Sequence, residues 1–367
     1  VKLSRNDFAW LHSLDQPNER SLHGRPVPRT GGVAVIAGIL LGIAVALLVA
    51  VLLAMVAPDD ADSVPGQAGD LIPLASLLQP LLTALLPAML LVGAVSLRDD
   101  RRHVPQHWRL AAHLGASLLL ILGGLQWTRV GLPGLDAALP LWLGWLLTVF
   151  YTVWMINLYN FMDGMDGFAG GMAVFGFGAL AVLGARADLL GFAAVAAIIA
   201  AAALGFLTRN FPPARIFLGD VGSSVLGLLA AAMTLWGARL GLFPLWVGWL
   251  IFSPFIVDAT WTLLRRIANR ERFWQAHRSH HYQRLVLAGW SHRRTLLWGY
   301  VLMAAAALSA VAALGMTVSD QWTLLFGWAG IFALVHVRVG LTERSAAAAQ
   351  SAGRPIADRS TDSGPLR

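Results

Sequence analysis

Long apolar runs alternate with short polar ones along most of this 367-residue chain. A bilayer-spanning helix needs about 20 mostly apolar residues. Ten runs approach or reach that length: 33–56, 74–97, 108–127, 140–157, 168–184, 189–208, 222–239, 243–264, 295–314 and 321–338. The run at 108–127 is the weakest, because Arg109 and His113 lie near its start, where such side chains snorkel or face a polar cavity. The pattern predicts an all-α fold, a polytopic integral membrane helical bundle of about ten transmembrane helices with both termini on one side. Residues 1–344 are expected to form a single transmembrane domain with polar loops at 1–32, 98–109, 157–168, 209–221 and 265–294. Residues 345–367, rich in Ala, Ser, Gly and Arg, are expected to form a disordered tail.

The cations test this count. The side holding both termini takes 24 of the 27 Lys and Arg residues, and the other side keeps only Arg129, Arg186 and Arg239. The positive-inside rule then makes the termini and the five polar loops cytoplasmic. Composition agrees: 57% of residues are hydrophobic and 13% charged, against roughly 25% charged in soluble domains. The net charge of +7 therefore reports orientation rather than nucleic-acid binding. The absence of cysteine excludes disulfides and Cys-ligated metals. The opening VKLSRNDFAWLHSL is too mixed to span a bilayer and shows no cleavable signal pattern. No convincing internal repeat of the kind transporters use is visible.

Five unusual polar segments fall on the cation-rich side: 15–32 (DQPNERSLHGRPVPRTGG), 96–103 (SLRDDRRH), 157–167 (NLYNFMDGMDG), 215–224 (RIFLGDVGSS) and 277–284 (HRSHHYQR). Their shared side predicts one site. Asn157, Asn160, Asp163 and Asp166 recur every three residues, which on a helix gives one polar stripe; an Asx cap followed by Gly would explain one Asp of the series. The small residues of 217–224 lead into a helix N-terminus, a ready anion site. Asp220 there would repel phosphate unless a divalent cation bridges the two, and hard oxygen ligands point to Mg²⁺, with Mn²⁺ as its substitute. Asp99 and Asp100 read either as a solvated loop or as groups handling a proton or a phosphate-linked cation. His277, His280 and His281 sit among Arg272, Arg278 and Arg284, which favours pyrophosphate over a bare metal ion. Asp258, inside a predicted span, reads equally as a functional acid or as a partner for a neighbouring helix.

These segments, in this order, resemble the polyprenyl-phosphate N-acetylhexosamine-1-phosphate transferases, glycosyltransferase family 4, over roughly residues 10–340. The NxxNFMDGxDG and FLGDxGS elements carry most of the likeness. The resemblance implies transfer of an N-acetylhexosamine-1-phosphate (GlcNAc, QuiNAc or FucNAc type) from a UDP-sugar to undecaprenyl phosphate, with Mg²⁺, releasing UMP. It implies a bacterial inner-membrane enzyme with a cytoplasmic active site and a second copy of the chain as a candidate partner. It makes Asp220 the metal-binding Asp and Phe217 the aromatic that stacks on uracil. Asn160, Asp163 and Asp166 match the acidic motif of the nucleotide site, with Asn157 beside it. Asp99 and Asp100 match the paired aspartates near the lipid phosphate. His277 and His280 resemble the histidine motif that binds the sugar diphosphate, with Arg278, His281, Arg215 and Arg29 as further substrate contacts. DxPNERSxHxxPxPR with HRSHHYQR is more similar to the O-antigen-initiating branch than to the peptidoglycan branch, whose substrate would be UDP-MurNAc-pentapeptide. The alternative of another class is a polytopic lipid or solute transporter.

Overall fold

The computed structural model describes residues 14–15, 27–56, 79–272 and 277–351. Among them, eleven helices account for nearly all regular structure: α1 Gly31–Val56, α2 Leu81–Arg101, α3 Gln106–Leu122, α4 Leu141–Phe161, α5 Phe168–Arg186, α6 Leu190–Asn210, α7 Gly219–Arg239, α8 Leu245–Ala268, α9 His281–Leu287, α10 His292–Ala313 and α11 Val318–Ser351. Nine are long and apolar enough to cross a membrane. The protein is a multi-pass helical membrane bundle.

All ten predicted spans contain a helix, and their edges shift for local reasons. α3 has 17 residues, about 25 Å at 1.5 Å per residue, and stops at Gly123. It still shows lipid an exposed stripe of Leu110, Leu114, Leu118 and Leu122. α2 opens with a π-helical turn, Leu81–Leu85, just before Pro87. Pro lacks the N–H that an α-turn would direct at residue 83, and a π-bulge absorbs the mismatch. α4 and α8 each follow a proline, Pro140 and Pro244. The tail expected from Ser345 begins as helix instead: α11 continues to Ser351 through an Ala-rich stretch of high helix propensity. Residues 352–367 lie outside the described residues, as does most of the 1–32 loop.

Burial grades sharply from the centre outwards. The apolar stretch of α7 is 94% buried, whereas those of α1 and α11 are 17% and 11% buried. α7 packs on α1, α2, α4, α5 and α8. Its Ala230–Ala232 run and the Ala-rich face of α6 let backbones approach closely, which is how helices associate where the surrounding solvent is as apolar as they are.

A two-stranded antiparallel hairpin, unforeseen in the sequence, closes the end opposite the polar segments. β3 (Arg129–Leu132) pairs with β4 (Leu135–Ala138); the short pair β1 (Leu14–Asp15) and β2 (Val27–Pro28) lies at the other end. Arg129 in β3 pairs with Asp136 in β4 at 2.7 Å. Trp322 of α11 donates to the Pro133 carbonyl at 3.0 Å, tying the last helix to this hairpin.

Candidate active site

The polar segments meet at one end of the bundle, and backbone pairing begins the assembly. Gly31 N–H donates to Phe217 O at 2.9 Å, Gly32 N–H to Leu218 O at 2.8 Å, and Phe217 N–H to Pro28 O at 2.8 Å. A side chain at Gly32 would strike the Gly222 backbone, so glycine at both positions lets the PRTGG segment lie directly on the start of α7.

Asp100, from the last turn of α2, accepts from the N–H groups of Asp220 and Val221 at 3.0 and 3.1 Å. The donors expected to bind a substrate anion at the α7 N-terminus are therefore held by the protein's own carboxylate. Asp100 acts as an N-cap supplied by another helix, favoured both by hydrogen bonding and by the helix dipole. Asp99 is buried too. Its carboxylate accepts from Val104 N–H at 2.8 Å and pairs with Arg109 at 2.8 Å. The solvated-loop reading of the two aspartates does not hold: they are the last turn of a helix, and both are engaged.

Asp220 projects into the space left between these elements. Its side chain keeps 33% exposure; Asn160 donates to it at 3.0 Å, and Arg109 stands 3.9 Å away. Asn160 also donates to Ser223 at 3.0 Å. Asp163 completes the acidic wall. Burial, followed by the like charges of Asp220 and Asp100, pushes its carboxyl well above the usual carboxylate range, opposed by Arg29. Arg29, itself 3.8 Å from Asp100, and Arg109 thus frame a group of three carboxylates, with both guanidinium side chains partly open to solvent.

The expected polar stripe is broken, because α4 ends at Phe161. Asn157 turns back to the Val153 carbonyl at 2.7 Å and towards His113 at 3.5 Å. Asp163 and Asp166 lie in the following turns. Asp166 accepts from Ala214 N–H at 2.9 Å and braces the 211–216 loop. Asn210 ties the same two loops, accepting from Gly167 N–H at 2.8 Å and donating to Ile216 O at 2.9 Å. Gly164 has its own reason: a Cβ there would collide with the Tyr282 hydroxyl, which donates to Phe161 O at 3.3 Å.

That contact brings in the histidine segment. His280 is buried, with its ring stacked between Phe161 and Tyr282 at centroid distances of 6.3 and 6.0 Å. His277 lies 5.0 Å from it, ring to ring, and stays partly exposed. Burial first, then His280 and Arg266, lowers the His277 pKa to about 4, so it is neutral near pH 7. Arg278 is partly buried, its Nε without a hydrogen-bond partner among the described residues. His281 points away from the acidic wall. Its backbone N–H donates to Asp258 at 3.0 and 3.1 Å, and its Nδ1 is 2.9 Å from the same carboxylate. Asp258 is thus the helix-pairing acid that one of its two readings described. Arg215 is exposed on the 211–218 loop, and Phe217 is partly buried beside Gly31.

Asp220, Asp163, Asn160, Arg29 and Arg109 therefore gather at one place, and Phe217, His277 and Arg278 are partly exposed at the same end of the bundle. Sequence reasoning gave no site role to Ser223, Asn210 or Tyr282 and took Arg109 only as a cation that snorkels or faces a polar cavity. Ser223 and Tyr282 lie within two of the five polar segments, and only Asn210 left no signal.

Similarity to known proteins follows the same residues. The family profile described as Glycosyl transferase family 4 matches residues 82–238, from α2 through α7. A Bacillus subtilis (strain 168) protein named "Probable undecaprenyl-phosphate N-acetylglucosaminyl 1-phosphate transferase" is 27% identical, covering 86% of this chain and 80% of that protein. The decaprenyl-phosphate N-acetylglucosaminephosphotransferase of Mycolicibacterium smegmatis is 31% identical, covering 91% and 83%. A phospho-N-acetylmuramoyl-pentapeptide-transferase of Bacillus pumilus is 32% identical, but over only 46% of this chain and 52% of its own. The chain belongs to the polyprenyl-phosphate N-acetylhexosamine-1-phosphate transferases of glycosyl transferase family 4. It is a phosphoglycosyl transferase.

Proposed function

We propose that the protein transfers GlcNAc-1-phosphate from UDP-GlcNAc to undecaprenyl phosphate on the cytoplasmic side of a bacterial inner membrane, releasing UMP. The product would initiate a surface polysaccharide, O-antigen on the sequence likeness of 15–32 and 277–284. The observation that carries this reading is the acidic wall of Asp100, Asp163 and Asp220 between Arg29 and Arg109, at the end of the bundle where the positive-inside rule places the cytoplasm. Similarity over 86% to 91% of the chain runs to proteins named as N-acetylglucosamine-phosphate transferases, while similarity to the muramoyl-pentapeptide enzyme covers 46% of it.

The donor set fits Mg²⁺. Among the described residues no three His, Asp or Glu side chains form a ready-made cage, and Mg²⁺ needs none. It keeps several waters and takes one or two carboxylates plus substrate phosphates. Asp220, partly exposed, and Asp163, whose carboxylate receives no hydrogen bond among the described residues, would supply those oxygens. When bound, the ion supplies charge neutralisation and Lewis-acid polarisation at phosphate.

The chain's own groups do the rest. Arg29 and Arg109 offer charge-assisted hydrogen bonds to phosphate oxygens. Phe217 offers a face for uracil. Arg278 and neutral His277 donate to the sugar-diphosphate region. A lipid-phosphate oxygen attacks the sugar-bearing phosphorus, a new phosphoanhydride forms, and the bond to UMP breaks. The attacking phosphate has a second pKa near 6, so positioning outweighs proton removal near pH 7. Asp99 contributes by holding Arg109.

The test is transfer of label from a panel of UDP-GlcNAc, UDP-QuiNAc, UDP-FucNAc and UDP-MurNAc-pentapeptide into undecaprenyl phosphate, with Mg²⁺ or with EDTA. Label from UDP-GlcNAc in lipid, with equimolar UMP and only with the cation, is expected. Preference for the pentapeptide donor, or no release of UMP from any donor, overturns the reading.

A further inference from the structure

The last long helix is nearly unpacked along the membrane yet firmly held at the site end. Of the 34 residues of α11, only Trp328 and Val339 are buried. Its polar attachments at that end lead to the histidine segment. Glu343 accepts two parallel hydrogen bonds from Arg284, at 2.7 Å from Nε and 2.5 Å from Nη2. Arg284 is buried while Glu343 keeps 38% of its side chain exposed, so the pair is solvated on the Glu343 side, and its fork-to-fork geometry fixes the orientation of Arg284. One turn earlier on α9, His281 Nε2 lies 3.1 Å from His336 Nδ1. Because the Nδ1 of His281 is turned to the Asp258 carboxylate, a neutral His281 presents Nε2 as the acceptor, and His336 is the donor. Trp261 of α8 backs the His336 ring at a centroid distance of 4.5 Å.

The helix so gripped is short. α9 has seven residues, too few to persist on local hydrogen bonds. Among the described residues, its polar ties to the rest of the protein run to Asp258, to Phe161 O through Tyr282, and to α11 through His281 and Arg284, while the Gln283 side chain accepts from His280 N–H at 3.3 Å. Movement of α9 reaches the acidic wall directly. Tyr282 packs on Gly164 and donates to Phe161 O, His280 stacks on Phe161, and the residue before Phe161 is Asn160, the donor to Asp220.

We propose that α11 is a strut that sets the position of the histidine segment through two links, Glu343 to Arg284 and His336 to His281, making Glu343 and His336 positioning residues for the transfer reaction. The inference rests on the transferase reading above for its kinetic arm only. Neither residue faces the acidic wall, so neither needs to touch substrate. Displacing a substrate-contacting segment by about 1 Å costs up to about 100-fold in rate.

The experiment has two arms on the full-length protein in detergent. In the kinetic arm, Glu343→Gln is expected to lower kcat/KM for UDP-GlcNAc by about 10- to 100-fold, with KM for undecaprenyl phosphate unchanged. The exchanged pair Arg284→Glu with Glu343→Arg is expected to recover most of the loss. His336→Asn, which keeps a donor near the Nδ1 position, is expected to work nearly as well as the parent, and His336→Phe is not. In the second arm, backbone hydrogen exchange across 277–287 is expected to quicken in Glu343→Gln and slow again in the exchanged pair, while exchange in α7 does not change. This arm reads the strut even if the chain transfers a different sugar. Unchanged kcat/KM and unchanged exchange in Glu343→Gln overturn the proposal. So does an exchanged pair that folds yet recovers neither property. If Glu343→Gln does not fold, the exchanged pair and the two His336 variants decide alone.

Discussion

Asp100 and Asp258 perform the same local task in two different settings. Each is a buried carboxylate on a spanning helix that accepts from the first turn of another helix, Asp100 from two backbone N–H groups and Asp258 from one. Asp100 caps α7, a 21-residue helix enclosed by the rest of the bundle. Asp258 caps α9, a seven-residue helix at the edge. Around Asp100 the neighbours are acids, Asp163 and Asp220; around Asp258 they are the imidazoles of His280 and His281. The difference teaches how the two walls are held. The acidic wall inherits the rigidity of the core, and the basic wall depends on polar fastenings at the periphery.

Five substitutions break or sharpen that contrast. Asp220→Asn should have the largest effect. Losing a preorganised charge at the reacting phosphate is expected to reduce UMP release by on the order of 10³-fold, with folding retained by size-exclusion chromatography. Turnover within tenfold of the parent removes the acidic wall from the chemistry. Next is Asp258→Ala. Leaving buried donors without their acceptor is expected to cost about 1–3 kcal/mol locally, read as faster hydrogen exchange in α9 and a fall in activity. Asp100→Asn, by contrast, keeps a good cap and should cost under about 1 kcal/mol in denaturant titration; equal losses from the two substitutions would erase the distinction.

A smaller effect concerns pH. The folded protein holds His277 neutral down to about pH 4, while an unfolded chain protonates it below about pH 6.5. The unfolded state therefore binds more protons between those values, and stability rises with pH across that window. His277→Gln should flatten melting temperature against pH between pH 4 and 6.5 and leave it unchanged above pH 7. Smallest of all, Arg129→Ala at the far hairpin should leave UMP release within twofold of the parent, because the Arg129–Asp136 pair is solvent-exposed and at the opposite end from both walls.

Much of this was legible in the sequence because a bilayer imposes one blunt requirement, a run of apolar residues, and because cations mark a side. The convergence of five polar segments followed from that bookkeeping alone. What stayed hidden depends on partners distant in the chain. A solvated loop stayed one of two readings for Asp99 and Asp100 because nothing near Asp100 announces that α7, some 120 residues later, supplies its donors. The three-residue spacing from Asn157 to Asp166 suggested a helical face, but α4 stops at Phe161; Asn160 and Asp163 stay beside Asp220, while Asn157 and Asp166 turn elsewhere. His281 looked equivalent to His277 and His280; its turn away from the site is dictated by Asp258, 23 residues upstream. The hairpin at 129–138 was masked by its brevity, although Pro133-Gly134 is a turn signal.

The helix that carries Asp220 meets almost no lipid. Changes in membrane thickness or fluidity act first on helices that touch acyl chains, which tilt to match them. They reach this carboxylate only after passing through a ring of neighbours. The position of this carboxylate is thereby set by protein neighbours rather than by the surrounding acyl chains.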